Sequence, residues 1–364
     1  MSVSLTRVYN PNPGWYRGDF HAHTTCSDGS LAPRQLAHLA GEQQLDFLAI
    51  TDHNDIRAFD DFDPSCERLV LPGVEVTLLE GHFNVYGFAG NTAEAGEIFG
   101  GITDAPREMK HRLSLQHSEL VALMQRISVA GYFISLNHPL LQPWEWRDSL
   151  TDVGWFDGIE LLNDPTYDDN YRMNPAALRL WSTWLNAGYR STGLGGSDFH
   201  SLAPSDNPRR LSRLDLPLTY VYAEELSCLG ILDGLRRRRA YISLGPKVEL
   251  TAQVDGRVYC MGDDAGAIRS SGTLRLSVTG CAGHAQALVV RNGQALARVD
   301  VQDGGAELEV EIPASEAPVR AWYRVDVIDA AGQALAISNP IFLGPPRTPP
   351  PTAFGSFAEK LSGY

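Results

Sequence analysis

Six of the ten histidines stand in short motifs of the kind that ligate metals. They are His21 and His23 in Gly18-Asp-Phe-His-Ala-His, His53 in Thr51-Asp-His, His82 after Glu75, His138 in Asn137-His-Pro, and His200 in Ser197-Asp-Phe-His. Carboxylates are interspersed at Asp28, Asp52, Glu75 and Asp198. Neutral imidazole mixed with carboxylate suits borderline divalent ions such as Zn, Mn and Fe. A set this rich could hold two or three ions, and clustered ions serve hydrolysis at phosphoryl or acyl centres. On an extended segment, alternate residues share a face, so His21 and His23 can chelate one ion. Asp198 and His200 repeat that spacing. Asp28 can reach a neighbouring ion, and Glu75 can bridge two while screening their repulsion. Asp52 is expected to orient an imidazole rather than bind a metal. His200 with Asp198, or His82 where it is not a ligand, is the candidate to protonate a leaving group. Arg17 and Asn163 are candidate substrate contacts, whereas His38, His111 and His117 read as ordinary surface or core residues.

These side chains need elements to hold them. Residues 47–51, 69–71, 74–76, 84–86, 132–136, 158–162 and 191–194 read as strands, several without polar alternation, as befits burial on both faces. Helical patterns fall at 33–43, with Ser30 as the expected N-cap, at 117–129 and at 175–187. Strand and helix in alternation predict a parallel α/β sheet or barrel over residues 1–245. Each metal motif lies at the C-terminal end of a strand, the rim where α/β barrels gather catalytic residues. Past residue 245 the pattern turns β-like, at 248–254, 273–278, 287–291, 306–312, 321–328 and 334–337. Residues 246–343 therefore predict a small antiparallel β-sandwich. Residues 344–364 form a proline-rich tail, expected to be extended.

Composition narrows the partners. A net charge of −14 and pI near 5.1 argue against nucleic acid held on a basic surface, although bound metals attract phosphate locally. Five scattered cysteines without a CxxC pair argue against a disulfide framework or thiolate zinc. No run of about 18 apolar residues suggests a membrane span, and the first residues lack the charged-then-apolar order of a secretory signal. The expectation is a soluble, cytoplasmic protein acting on a small, anionic ester.

The ordered series HxH, SDG, TDH, GxE, NHP and GSDxH resembles the PHP (polymerase and histidinol phosphatase) superfamily over roughly residues 15–245. The resemblance implies a distorted (β/α)7 barrel with two or three divalent metal ions on the strand C-termini. Carried over motif by motif, His21, His23, Glu75 and Asp198 would hold one ion. Asp28, His53 and His200, with Glu75 bridging, would hold a second. His138 and a histidine after the glutamate would hold a third. Here the sequence departs, since Asn84 occupies the usual histidine place and His82 lies two residues earlier with the same strand parity. Asn84 is accordingly a further candidate substrate contact. Gly81-His-Phe-Asn and the C-terminal β region resemble the carbaryl-hydrolase-like branch. The superfamily resemblance implies a phosphoesterase, and the branch resemblance implies a carboxyl or carbamate ester hydrolase. A non-catalytic metal-bound binding module is the third reading.

Overall fold

The computed structural model describes residues 5–60, 68–88, 92–202, 213–268, 270–302, 304–313, 320–345 and 347–359. Its central feature is a strongly curved sheet. Strands β1 (Gly14–Asp19), β2 (Phe47–Ile50) and β3 (Leu69–Leu78) run parallel. Next, β4 (Gly81–Tyr86) turns back antiparallel between β3 and β5 (Phe133–Leu136). Strands β6 (Gly158–Asn163) and β7 (Thr192–Gly196) continue the parallel set. The sheet curls until Ala22, beyond β1, bridges Phe199, beyond β7. The result is a mixed α/β fold whose curved sheet nearly closes on itself. The β2–β6 side chains are almost wholly buried, as the missing polar alternation implied.

Helices α1 (Pro33–Glu42), α2 (Thr92–Phe99), α3 (His117–Val129), α4 (Asn170–Ala187) and α5 (Cys228–Arg236) accompany this sheet. Three local expectations need correction. The N-cap of α1 is Ala32, not Ser30; the Ala32 N–H donates to the Gln35 side chain, while the Ser30 N–H is taken by the His200 carbonyl. Residues 69–71 and 74–76 form one continuous strand through Pro72. Helix α4 begins before Pro175, because the Asn170 and Asn174 amides donate to Asn163 and Asp164 and hold an extra N-terminal turn.

Two further strands extend the curved sheet beyond β1. Strand β8 (Leu218–Ala223) pairs antiparallel with β1, and β9 (Ala240–Ser243) pairs with β8. The C-terminal region joins there. Strands β10 (Lys247–Val254), β11 (Arg257–Cys260), β12 (Gly272–Thr279) and β15 (Gly305–Ile312) form one antiparallel sheet. Strands β13 (Ala285–Arg291), β14 (Gln294–Val301), β16 (Ala321–Asp329) and β17 (Ala334–Ser338) form the other layer, with β18 (Ile341–Leu343) beside β16. One apolar cluster, including Leu250, Leu274, Val289 and Val325, fills the space between them. Strand β17 also bonds β9, so this layer is continuous with the curved sheet.

The proline-rich tail is not simply extended. Ala353 bridges Asp152, and Phe354 and Phe357, the latter in α6 (Gly355–Ala358), pack against Trp184. The apolar area those rings remove from water holds the segment down. Among the described residues no helix is long and apolar enough to cross a membrane.

Candidate metal centre

All the motif residues converge at one end of the curved sheet. His21 and His23 follow β1, His53 follows β2, His138 follows β5, and Asp198 and His200 follow β7. Glu75 lies within β3. His82 reaches the same end because β4 runs antiparallel and so begins there. A close approach makes this possible: a Cβ at Gly196 would stand 2.4 Å from the His21 Cβ, so only glycine lets β7 lie this near β1.

Glu75 is the hub. Its fully buried carboxylate faces His21 Nε2 at 3.4 Å, His23 Nε2 at 3.6 Å, His82 Nδ1 at 3.2 Å and His138 Nε2 at 3.4 Å. His53 Nδ1 stands 2.7 Å from Oε2 but out of hydrogen-bond alignment. Asp198 Oδ1 lies 3.4 Å from His21 Nε2 and 3.1 Å from His23 Nε2. Asp28 Oδ1 lies 3.7 Å from His53 Nε2 and 3.3 Å from His200 Nε2. Three donor groups emerge, each with its atoms within 4.8 Å of one another: His21, His23 and Asp198; His23, Asp28, His53 and His200; and His53, Glu75 and His82. His138 stands outside these groups but beside the third, its Nε2 3.4 Å from Glu75 and its ring centroid 5.1 Å from that of His82.

These residues fit divalent ions. Donors about 2.1 Å from an ion lie about 3.4 Å apart along the edges of a tetrahedron, the spacing observed here. His21 Nε2, His82 Nδ1 and Glu75 Oε2 are buried and lack any hydrogen-bond partner, which is unfavourable without a ligand to accept their lone pairs. The neighbours also fix tautomers. The His21 Nδ1–H donates to Glu160 at 2.8 Å and the His200 Nδ1–H to the Asp198 carbonyl at 2.8 Å, turning both Nε2 atoms inward. His53 Nδ1 meets the Thr77 hydroxyl at 2.7 Å, with the same outcome.

The charge balance is that of a centre built around cations. Burial raises the Glu75 pKa, but His21, His53, His82 and His138 outweigh it and hold the carboxyl well below its ordinary range. Asp198 is held down likewise, by His21, His23 and His200 against burial. Burial, then His200 and His53, drive His23 down to about 3, and burial drives His82 to about 4. Both imidazoles are therefore neutral and able to ligate at ordinary pH.

Several residues that shape the site are not metal motifs in the sequence. Glu160, in the middle of β6, accepts from His21, from the His138 N–H at 3.0 Å and from Asn163 at 3.1 Å. A lone acid within the apolar Gly158-Ile-Glu-Leu-Leu run is the signal that marks it. Asp19 accepts from the His21 and Ser197 N–H groups, each at 3.0 Å, and so ties the first motif to the last. Burial pushes its carboxyl up to about 7. Asp52 is not near a metal position, as expected, but it holds no imidazole: it accepts from Thr24 and Ser27 and shapes the loop that presents Asp28.

Three expectations for individual residues change. His111 is not an ordinary surface residue. Asn54 donates to the Lys110 carbonyl and Lys110 to the Asn54 carbonyl, bringing His111 to 3.7 Å from Asp28, with its ring 4.4 Å from that of His53. No local motif announces this, since the contact depends on a loop meeting a distant strand end. Arg17 does not reach the site; its guanidinium bonds Gln44 before β2, at the opposite end of the sheet. Asn84 is fully buried beneath the centre, donating to the Phe20 carbonyl at 3.4 Å, and does not line the cavity.

Above the candidate metal ligands opens a cavity of about 530 Å³. Asp28, His53, His82, His111, His138, Asp198 and His200 form its floor and near wall, and Leu141, Trp144, Asn163, Asp164, Tyr167 and Asn170 the rest. His138, Asp164 and Asp198 adopt positive φ (23°, 23° and 52°), a strained backbone that concentrates where side chains are aimed into this cavity.

Residues 19–150 match the PHP domain, a stretch that holds the ligand candidates from His21 to His138 but not Asp198 or His200. The chain is 41% identical over 73 residues to the 5'-3' exoribonuclease Rnm of Escherichia coli, covering 18% of this chain and 24% of that protein. It is 36% identical over 62 residues to a 5'-3' exoribonuclease of Haemophilus influenzae, covering 16% and 23%. The chain thus spans about a quarter of the length of the curated relatives it matches. Among solved structures, a two-domain protein of Bacteroides vulgatus containing a predicted PHP-like metal-dependent phosphoesterase aligns over 92% of this chain and 98% of its own, at 19% identity and TM-score 0.49. An amidohydrolase of Chromobacterium violaceum with bound sulfate aligns over 54% and 89%, at 18% identity and TM-score 0.36.

Proposed function

We propose that the protein is a metal-dependent phosphoesterase. The observation that carries this reading is the Glu75 carboxylate, buried among five imidazoles at the foot of an open cavity. Divalent ions held there would lower the pKa of water and offset charge on phosphoryl oxygens. The chain's own residues do the rest. Glu160, Thr77 and the Asp198 carbonyl fix imidazole tautomers, which pre-organises the donors before substrate arrives. With both His200 nitrogens so committed, the imidazole placed to exchange a proton with the leaving oxygen is His111, whose pKa burial and His53 lower from the ordinary value. That imidazole lines the cavity outside the three donor groups. The likeness of a 73-residue stretch to an exoribonuclease and the PHP match over residues 19–150 support phosphoester chemistry.

One feature favours a second reading. Among the described residues, none lining this cavity is an arginine or lysine, so a neutral carboxyl or carbamate ester also meets no mismatched charge there. The two readings separate on Mn- or Zn-loaded protein assayed with p-nitrophenyl phosphate, bis-p-nitrophenyl phosphate and 1-naphthyl acetate. Chelator-sensitive phosphoester turnover, lost in His53→Ala, is the expected result. Cleavage of the naphthyl ester alone would replace the phosphoesterase reading with the second one.

A further inference from the structure

The cavity over the metal centre has a neighbour. A second hollow of about 250 Å³ lies beside it, and the two share His82, His111 and Trp144 in their walls. The cleft is thus two-lobed, with Trp144 at the divide. A phosphoryl group fills only a fraction of 530 Å³, so most of the space serves the part of the substrate that does not react.

Trp144 differs from the tryptophan two residues on. Trp146 is buried, its indole N–H donates to the Asp148 carbonyl at 3.0 Å, and its ring packs edge-on against Phe83 and Phe156. Trp144 is 42% exposed, and among the described residues its ring has no aromatic neighbour and its indole N–H no acceptor. The segment that carries it is nonetheless tightly fixed. Trp144 N–H donates to the Leu141 carbonyl at 2.8 Å, Trp146 N–H to the Pro139 carbonyl at 2.9 Å, and Arg147 to the Pro143 and Glu80 carbonyls at 2.7 Å each. An unpaired aromatic face on a rigid segment is pre-organised to receive a flat ligand group. The same segment begins at His138, which sets the distance between that face and the metal centre.

We infer that the substrate carries a planar aromatic group joined to its reacting ester, and that Trp144 stacks this group at the divide of the cleft. The inference rests on the phosphoesterase reading for the nature of the reacting end. It is tested on Mn-loaded full-length protein by calorimetric affinity for benzylphosphonate and ethylphosphonate, which share a charged head and differ in the ring. The wild type is expected to bind the benzyl compound about tenfold more tightly. Trp144→Ala should bring that ratio close to one, and Trp144→Phe should restore most of it. Equal affinity for the two phosphonates, or a preference that survives in Trp144→Ala, overturns the aromatic subsite. If phosphoester turnover persists in that case, the phosphoesterase reading stands. Neither phosphonate binding, together with no phosphoester turnover, removes both.

Discussion

The two halves of the molecule use the same backbone conformation for opposite ends. In the C-terminal β layers, positive φ occurs at Asp255-Gly256 and Asn292-Gly293, the two-residue turns that close the β10–β11 and β13–β14 hairpins. These residue types adopt that conformation readily, and the turn matches the twist of the strands. At the candidate metal centre, positive φ falls on His138 and Asp198, which close no hairpin but stand just beyond β5 and β7 and line the cavity. The polar groups differ in the same way. Arg324, buried in the C-terminal layer, is paired with Asp326 and bonds Ser182 on α4, while buried His21, His82 and Glu75 atoms at the centre have no hydrogen-bond partner. One region is organised for its own stability, and the other is completed only by what binds there.

That contrast can be broken by mutation. The largest effect is expected at Glu75. Glu75→Gln removes the charge shared by the donor groups, and turnover per folded molecule should fall by more than about 100-fold, beyond the range for outer residues. Steady-state kinetics with metal analysis checks it. In the β layers, Leu274→Ala hollows a fully buried position and should cost about 2–5 kcal/mol of stability, measured by denaturant melts, while leaving turnover of folded protein unchanged. Loss of turnover in that variant would show that the two regions are not separable. Glu160→Gln keeps size but weakens the hold on His21, and metal affinity should drop about 10- to 100-fold.

A smaller, pH-dependent difference belongs to the metal-free chain. His23 and His82 titrate at about 3 and about 4 in the fold, chiefly through burial, against about 6.5 unfolded. Their stabilisation is present above pH 6.5 and is lost as pH falls towards 4, because only the unfolded chain takes up the protons. His200 moves the other way: burial is outweighed by Asp28 and Asp198, and its pKa rises to about 9. Its contribution is present below about 6.5 and is lost as pH climbs through 9. Asp19, raised by burial to about 7, contributes below about 4 and loses that contribution through pH 7, opposing the acid limb. Thermal melts with chelator should show the midpoint falling on both sides of neutrality, and His82→Asn should flatten the acid side. The smallest effect is set at a hairpin. Asn292→Ala should cost about 1 kcal/mol, with no change in metal content.

How far the sequence reveals these regions follows from the same contrast. The metal motifs are local, so His21, His23, His53, Asp198 and His200 can be picked out from spacing at strand ends. Alternation likewise marks β10, β12 and β16. Residues 257–260 and 294–301 are absent from the strands the pattern picks out, although each follows an Asp-Gly or Asn-Gly turn, because their exposed, mixed faces give no clean period. His111 is illegible for another reason, and Glu160, though marked as a lone acid in an apolar run, does not show its role. One reaches the site through Lys110 and Asn54, and the other acts by orienting His21. Neither relation leaves a local pattern. Arg17 shows the converse error, since nearness to a motif along the chain does not decide which end of a strand a side chain serves.

The central claim is that Glu75 joins several ligand groups into one multinuclear centre, and the most direct test is metal stoichiometry. Plasma mass spectrometry on untagged protein, saturated with Mn or Zn and freed of excess ion, should give two or more ions per chain. One ion or none per chain would contradict it.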